Sequence, residues 1–145
     1  MPGTPPLPTK AFDFAAVTLT WGSLSLTGGL ESIKVSRAED AWTTHVASDG
    51  TVTRVKNNNR MGNITIVFGQ NAPNLDVLSQ QAQLDEATGT AANPIEVQDG
   101  SGRSIAKAPA AWIKKLADVE YGKEATTREW SFDCDQLTHF VGGLN

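Results

Sequence analysis

Thr43-Thr-His-Val-Ala-Ser-Asp-Gly-Thr-Val-Thr-Arg-Val-Lys56 is a pair of β-prone runs set around an Asp-Gly step. Asp-Gly supports the positive φ angles of a tight hairpin turn, so the stretch reads as strand, turn, strand. With Asp49 and Gly50 as the central pair, Ser48 faces Thr51, Val46 faces Thr53, His45 faces Arg54 and Thr43 faces Lys56. The side chains are mostly Thr, Val and polar groups, and neither face has the large apolar surface needed to cover a core. The hairpin is therefore expected to project from the body or to pack on a neighbour.

Working outward from it, the same two-residue period recurs. Val17-Thr-Leu-Thr-Trp21 and Ser23-Leu-Ser-Leu-Thr27 alternate around Gly22, and Ile33-Lys-Val-Ser-Arg37 puts Ile33 and Val35 on one face. Beyond the hairpin, Lys56-Asn-Asn-Asn-Arg60 is a polar break, and Met61 to Phe68 reads as a buried strand ended by Gly69. The period then changes: Asn71-Ala-Pro-Asn74 resembles a helix start with a capping side chain and an early proline, and Leu75, Leu78 and Ala82 share one face. A helix of about three turns is expected there, covering one side of a sheet. Ile95 to Asp99, the turn Gly100-Ser-Gly102 and the run Ser104 to Leu116 form another hairpin. In that run Ala108-Pro-Ala-Ala-Trp112 is expected at an edge or a bend, because proline cannot donate to a ladder. In Thr126 to Cys134, Trp130, Phe132 and Cys134 fall on one face and Glu129, Ser131 and Asp133 on the other. Asp135 to Asn145 reads as a short helix or a tail.

Composition narrows the function classes. The chain has 145 residues, 39% hydrophobic and 19% charged, which suits one folded domain. Four prolines in the first eight residues make residues 1–10 an extended arm, leaving 11–145 as the domain. The formal charge of -4 argues against a protein that grips nucleic-acid phosphates. A single cysteine, Cys134, excludes an internal disulfide and a Cys-rich zinc site. No apolar run reaches the roughly 18 residues of a membrane span, and the first ten residues do not read as a signal peptide. The expectation is a soluble chain made inside the cell.

Chemistry is sparse. His45 and His139 are the two histidines, and neither has a nucleophile held beside it by local spacing. Cys134 lies near His139, but Asp133 and Asp135 disfavour a thiolate, and alternation puts the sulfur on the apolar face. Asp118, Glu120, Asp133 and Asp135 lack the ligand spacing of a calcium loop and read as solvated strand edges. Asp99-Gly-Ser-Gly102 lacks the lysine and helix of a phosphate loop. Trp21, Trp42, Trp112 and Trp130 read as core and interface anchors, with a sugar-stacking surface as the rival reading. No catalytic, cofactor or metal residue is assigned.

Taken in order, Glu39-Asp40, Ser48-Asp-Gly-Thr-Val-Thr-Arg54, Gly62-Asn-Ile-Thr-Ile66, Ala72-Pro-Asn-Leu-Asp-Val-Leu78 and Glu129-Trp-Ser-Phe132 resemble the tail tube proteins of long-tailed, mainly contractile bacteriophages. The resemblance runs from about Phe12 to Cys134. It implies a mainly β, α+β fold: an antiparallel sandwich or barrel with one flanking helix and a protruding hairpin. It also implies hexameric rings stacked into a hollow tube, with sheath, baseplate and terminator proteins as partners and DNA passing through the lumen without specific binding. By the same analogy, subunit or ring contacts fall on Trp42, Thr43, His45, Asp49, Arg54, Lys56, Asn58 and Arg60. Two other readings compete: a monomeric carbohydrate-binding β domain using exposed tryptophans, and a small hydrolase using His45 or Cys134 with His139.

Overall fold

The computed structural model describes residues 13–100 and 105–142. The proline-rich arm with residues 11 and 12, residues 101–104 spanning most of the expected turn and the start of the run after it, and the last three residues lie outside the described residues. A short 3-10 helix at Phe14–Ala16 leads into β1 (Thr18–Trp21), β2 (Leu24–Ser25), β3 (Leu30–Arg37), β4 (Trp42–Val46), β5 (Val52–Lys56) and β6 (Gly62–Gly69). Helix α1 (Asn74–Thr88) follows, then β7 (Asn93–Gln98), β8 (Ile105–Lys115), β9 (Thr127–Asp135) and β10 (Thr138–Phe140).

Eight strands form one antiparallel sheet in the order β2-β1-β7-β8-β9-β6-β3, with β10 also paired to β8. The alternating residues explain why one face is dry. On β6, Gly62, Ile64, Ile66 and Phe68 are buried in strict alternation, and on β9 Arg128, Trp130, Phe132 and Cys134 do the same. Ile64 sits opposite Phe132 and Ile66 opposite Trp130, so the two patterns reinforce each other in register.

The sheet curls around this apolar face. β1 and β9 are three strand spacings apart, about 14 Å on a flat sheet, yet the rings of Trp21 and Phe132 have centroids 5.1 Å apart. Trp21 also donates its indole N–H to the Ala111 carbonyl at 2.9 Å, satisfying the polar end of a fully buried ring. At the other limit of the sheet, Ile33 and Val35 of β3 line a 210 Å³ groove with Val97, Ala106 and His139. The result is a sandwich-like, antiparallel β fold with one helix, as the family resemblance implied.

Several local expectations are corrected. Helix α1 has 15 residues, about a turn longer than the apolar positions alone indicated, because Gln, Leu, Glu and Ala carry it on to Gly89 in the left-handed conformation. Its expected side-chain cap is absent: the residue preceding the helix is Pro73, and the Asn74 amide instead donates to the Gly28 carbonyl at 3.2 Å. The segment after Asp135 contains strand β10, neither a helix nor an unstructured tail. Pro109 lies in a central strand, and of the two places expected for it the structure shows the bend: the bulge between the Asn93–Ala111 and Ile95–Ala108 pairs falls at Pro109 and Ala110.

Pro109 also accounts for β10. β9 pairs with β8 from Ala110 onward and β10 pairs with β8 up to Lys107, so β10 continues the line of β9 after a break at the level of Pro109. In the break, Gln136 takes a φ of 46° and Leu137 turns into the core, fully buried. The Leu137 N–H donates to the Arg60 carbonyl at 2.8 Å, and its carbonyl accepts from Arg37 Nη2 at 2.9 Å. Room for the side chain comes from Gly62, where any Cβ would collide with Leu137. Gly62→Ala should therefore lower the unfolding free energy by about 1–3 kcal/mol through overpacking, read as a lower denaturant midpoint at unchanged slope.

Candidate assembly interface

Strands β4 and β5 pair only with each other and form a two-stranded ribbon separate from the main sheet. All ten of their residues are exposed. A ribbon that buries no side chain is marginal alone in water, so its persistence depends on a well-made turn and root.

The turn differs from the Asp-Gly expectation by one residue. Gly50 donates to the Ala47 carbonyl at 2.9 Å and Ala47 donates to the Thr51 carbonyl at 2.8 Å, leaving a three-residue loop in which Gly50 has φ 89° and Asp49 does not have a positive φ. This is a type I turn closed by a glycine bulge, not the two-residue mirror-image turn. The register therefore shifts: Trp42 faces Lys56, Thr43 faces Val55, Thr44 faces Arg54, His45 faces Thr53 and Val46 faces Val52. The four expected pairings are all displaced by one residue. Asp49 accepts from the Thr51 N–H at 2.9 Å, and the backbone and hydroxyl of Thr51 hold its carboxyl below the usual carboxylate range.

The root is built by the asparagines. Asn57 donates through its side chain to Glu39 Oε2 at 2.7 Å and through its backbone to the Ala41 carbonyl at 2.8 Å. Its Oδ1 accepts from the Asn59 N–H at 3.0 Å, and Asn59 Oδ1 accepts from the Met61 N–H at 3.1 Å. The Asn run is thus a pair of side-chain turns that brings the chain back to β6, which gives Lys56 to Arg60 a structural reason.

The new register sorts the candidate residues by face. Trp42, Arg54 and Lys56 share one face with Val46 and Val52, while Thr43 and His45 share the other with Thr53 and Val55. On the first face the Arg54 guanidinium stacks over the Trp42 ring, 4.4 Å from its centroid, and Trp42 is 45% exposed. Asp49 stands apart at the tip, and Asn58 and Arg60 are exposed at the root, where the Arg60 carbonyl meets Leu137. The eight candidates lie along one projection, but only Trp42, Arg54 and Lys56 form a cluster.

The chemical candidates do not converge. His45 is exposed on the ribbon, whereas His139 lies on β10 opposite Ala106, so the two sit on different sheets. Cys134 is fully buried, and burial, followed by the Asp133 charge, pushes its thiol up to about 12. Among the described residues no three potential metal ligands come together. Trp21 and Trp130 are buried and Trp112 is half-buried, which leaves Trp42 as the exposed indole and gives no tryptophan platform for a sugar.

One exposed feature escaped the sequence reading. The residue 116–126 loop carries Tyr121, 87% exposed, and Val119, 58% exposed. Its backbone is held: Thr126 donates its N–H and hydroxyl to Gln70 Oε1, both at 3.0 Å, and its hydroxyl also approaches the Glu120 carbonyl at 2.9 Å. Buried Arg128 donates to the Thr126 hydroxyl at 2.6 Å and lies 5.7 Å from the centre of the Tyr121 ring. Arg128 was legible in principle, because strict alternation places it on the face of Trp130 and Phe132.

Comparison with known proteins gives a consistent answer. Residues 13–142 match the family described as Bacteriophage PhiTE tail tube protein. The structural protein ORF10 of Pseudomonas phage KPP10 is 30% identical over 125 residues, 83% of this chain and 72% of its own length. Two solved structures share the fold at low identity. The tail of an empty gene transfer agent particle, refined with C6 symmetry, gives a TM-score of 0.64 at 13% identity over 90% of this chain and all of the other. The sheath-tube complex of an extracellular contractile injection system in its extended state gives 0.60 at 12% identity over 90% and 93% of the two chains.

The buried thiol gives a test of the described core. Cys134 should resist iodoacetamide near pH 8 in the folded protein and react once it is unfolded. Because its folded pKa is raised from 9.0 to about 12, the unfolded state releases this proton first. The thiol's stabilising contribution is complete below pH 9 and is lost as pH rises toward 12, so the denaturation midpoint should fall across that window.

Proposed function

The chain belongs to the phage tail tube family described as Bacteriophage PhiTE tail tube protein, and from this premise we propose that its copies close into hexameric rings that stack into a hollow conduit. The tail of a virion is its place of action, and the protein is a structural subunit of that tube. The proposal extends this to ring number, to the contacts, and to synthesis in the host cytoplasm. The C6 symmetry of the gene transfer agent tail supports the sixfold ring. The sheath-tube complex of the contractile injection system supports a surrounding sheath, the sheath/tube terminator of such a system supports a terminator at one tube end, and a baseplate protein at the other end is part of the proposal.

One observation carries the reading: the β4–β5 ribbon, ten exposed strand residues with Trp42, Val46, Val52 and Val55 open to water. Exposed edges and apolar strand residues are a liability in a monomer and an asset in a closed ring, where identical copies cover them. We assign Trp42, Thr43, His45, Asp49, Arg54, Lys56, Asn58 and Arg60 to contacts between subunits or rings. The formal charge of -4 suits a wall past which DNA slides, because a basic lining would hold phosphates through counterion release. Catalysis has no part in this role, and the scattered His45, Cys134 and His139 are consistent with that.

Negative-stain microscopy of the purified chain should show rings or tubes. Replacing residues 44–55 with a short glycine linker should leave the main sheet folded by circular dichroism while abolishing higher assembly. Normal polymerisation of that variant contradicts the ribbon's assignment, and a strictly monomeric wild-type protein at high concentration contradicts the tube reading.

A further inference from the structure

The ribbon and the residue 116–126 loop lie at opposite ends of the same strands. The ribbon leaves β3 after Arg37 and rejoins the sheet at Gly62, which pairs with Arg37 and Cys134. The loop enters β9 at Thr127, which pairs with Gly69 at the far end of β6. The nine residues of β9 separate the two by about 27 Å. Within one subunit the two projections point away from each other, so neither can cover the other.

Their surfaces are complementary in two respects. The Trp42 face of the ribbon combines exposed apolar groups, Val46 and Val52, with the cations Arg54 and Lys56 and has no carboxylate. The loop combines exposed Val119 and Tyr121 with Asp118, Glu120 and Glu124 against one cation, Lys123. Among the described residues one ion pair is present, Lys115 with Asp118 at 3.5 Å, which leaves Glu120 and Glu124 outside any ion pair. The loop also presents its aromatic ring on a fixed backbone, held by the Gln70, Thr126 and Arg128 hydrogen bonds. An exposed aromatic beside charge is the usual chemistry of an interface anchor, and a loop tied down through its backbone has less main-chain freedom to lose on contact.

We propose that the 116–126 loop is the docking surface for the Trp42–Lys56 ribbon of a second copy of this chain, Glu120 and Glu124 facing Arg54 and Lys56 while Tyr121 packs on the valines. The proposal rests on the tube reading above and names the partner of the ribbon. Such a contact is head-to-tail: one patch meets a different patch, each copy keeps a free ribbon at one end and a free loop at the other, and the series extends along the strand direction without closing. It therefore accounts for stacking along an axis, leaving ring closure to other edges of the sheet.

The experiment is a charge exchange in the full-length chain, read by tube length in negative stain and by sedimentation velocity, with circular dichroism as the folding control. Glu120→Lys with Glu124→Lys, and separately Arg54→Glu with Lys56→Glu, should leave rings intact and shorten tubes about tenfold, since each juxtaposes like charges across the contact. Combining all four substitutions restores opposite charges and should return tube length to within about twofold of wild type. Tyr121→Ala should shorten tubes without altering net charge, which keeps the test informative if a charge variant fails to fold. Wild-type tube length in both the Glu120/Glu124 variant and Tyr121→Ala overturns the proposal, as does failure of the folded fourfold variant to recover. Absence of rings from the wild-type chain instead overturns the tube reading, and the docking falls with it.

Discussion

Leu137 seated against Gly62 is the contact on which the architecture of the ribbon end depends. Its origin is Pro109 in the central strand β8, a residue without an N–H, at whose level β9 stops and β10 begins. The break frees Leu137 to leave the strand line and fill the end of the core, and the missing Cβ at Gly62 lets it fit. Once there, its backbone joins Arg60 on one side and Arg37 on the other. Those residues flank the excursion that carries β4 and β5. One buried leucine thus ties the final strand, the edge strand and the β6 strand together at the point where the exposed ribbon departs, so that a ribbon with no core of its own springs from a rigid root.

That division of labour gives the subunit its character. The curled sheet is stable by the ordinary means of alternating apolar side chains, with Trp21, Phe132 and Ile64 among its fully buried groups. The ribbon is held by hydrogen bonds at its two ends, through the Ala47–Thr51 turn and the Glu39–Asn57 link, and its flanks remain open. Stability sits in the sheet, and the ribbon's exposed flanks are the surface we propose for contact between copies.

Much of the sheet was legible because β6 and β9 each obey a two-residue period over their whole length, and a one-residue slip of either would expose a row of Ile, Phe and Trp. The ribbon's register lacked that constraint. With water on both faces no burial term selects a pairing, so the turn alone sets it, and a bulge turn in place of a two-residue turn moves every partner by one. Pro109 was expected at an edge or a bend and sits in the β8 bulge, but its further effect is non-local: the compensating break occurs in a strand more than twenty residues away. The helix cap failed for a similar reason, since the Asn74 side chain finds a carbonyl on the loop after β2. The candidate site divides in the same way. A ribbon poor in large apolar groups could be read as a projection from its residues, whereas the Tyr121 loop depends on Gln70 and Arg128, brought to it by strand pairing.

The central claim is that the ribbon is covered only by neighbouring copies, whereas the central strands β6 and β9 are complete within one subunit. Amide hydrogen exchange, compared between the dispersed subunit and the assembled form, measures this most directly, because exchange reports local opening element by element. The account predicts that amides of Trp42 to Lys56 exchange readily in the dispersed chain and become strongly protected on assembly, while those of β6 and β9 are protected in both. Equal exchange of the ribbon amides in the two states would contradict it.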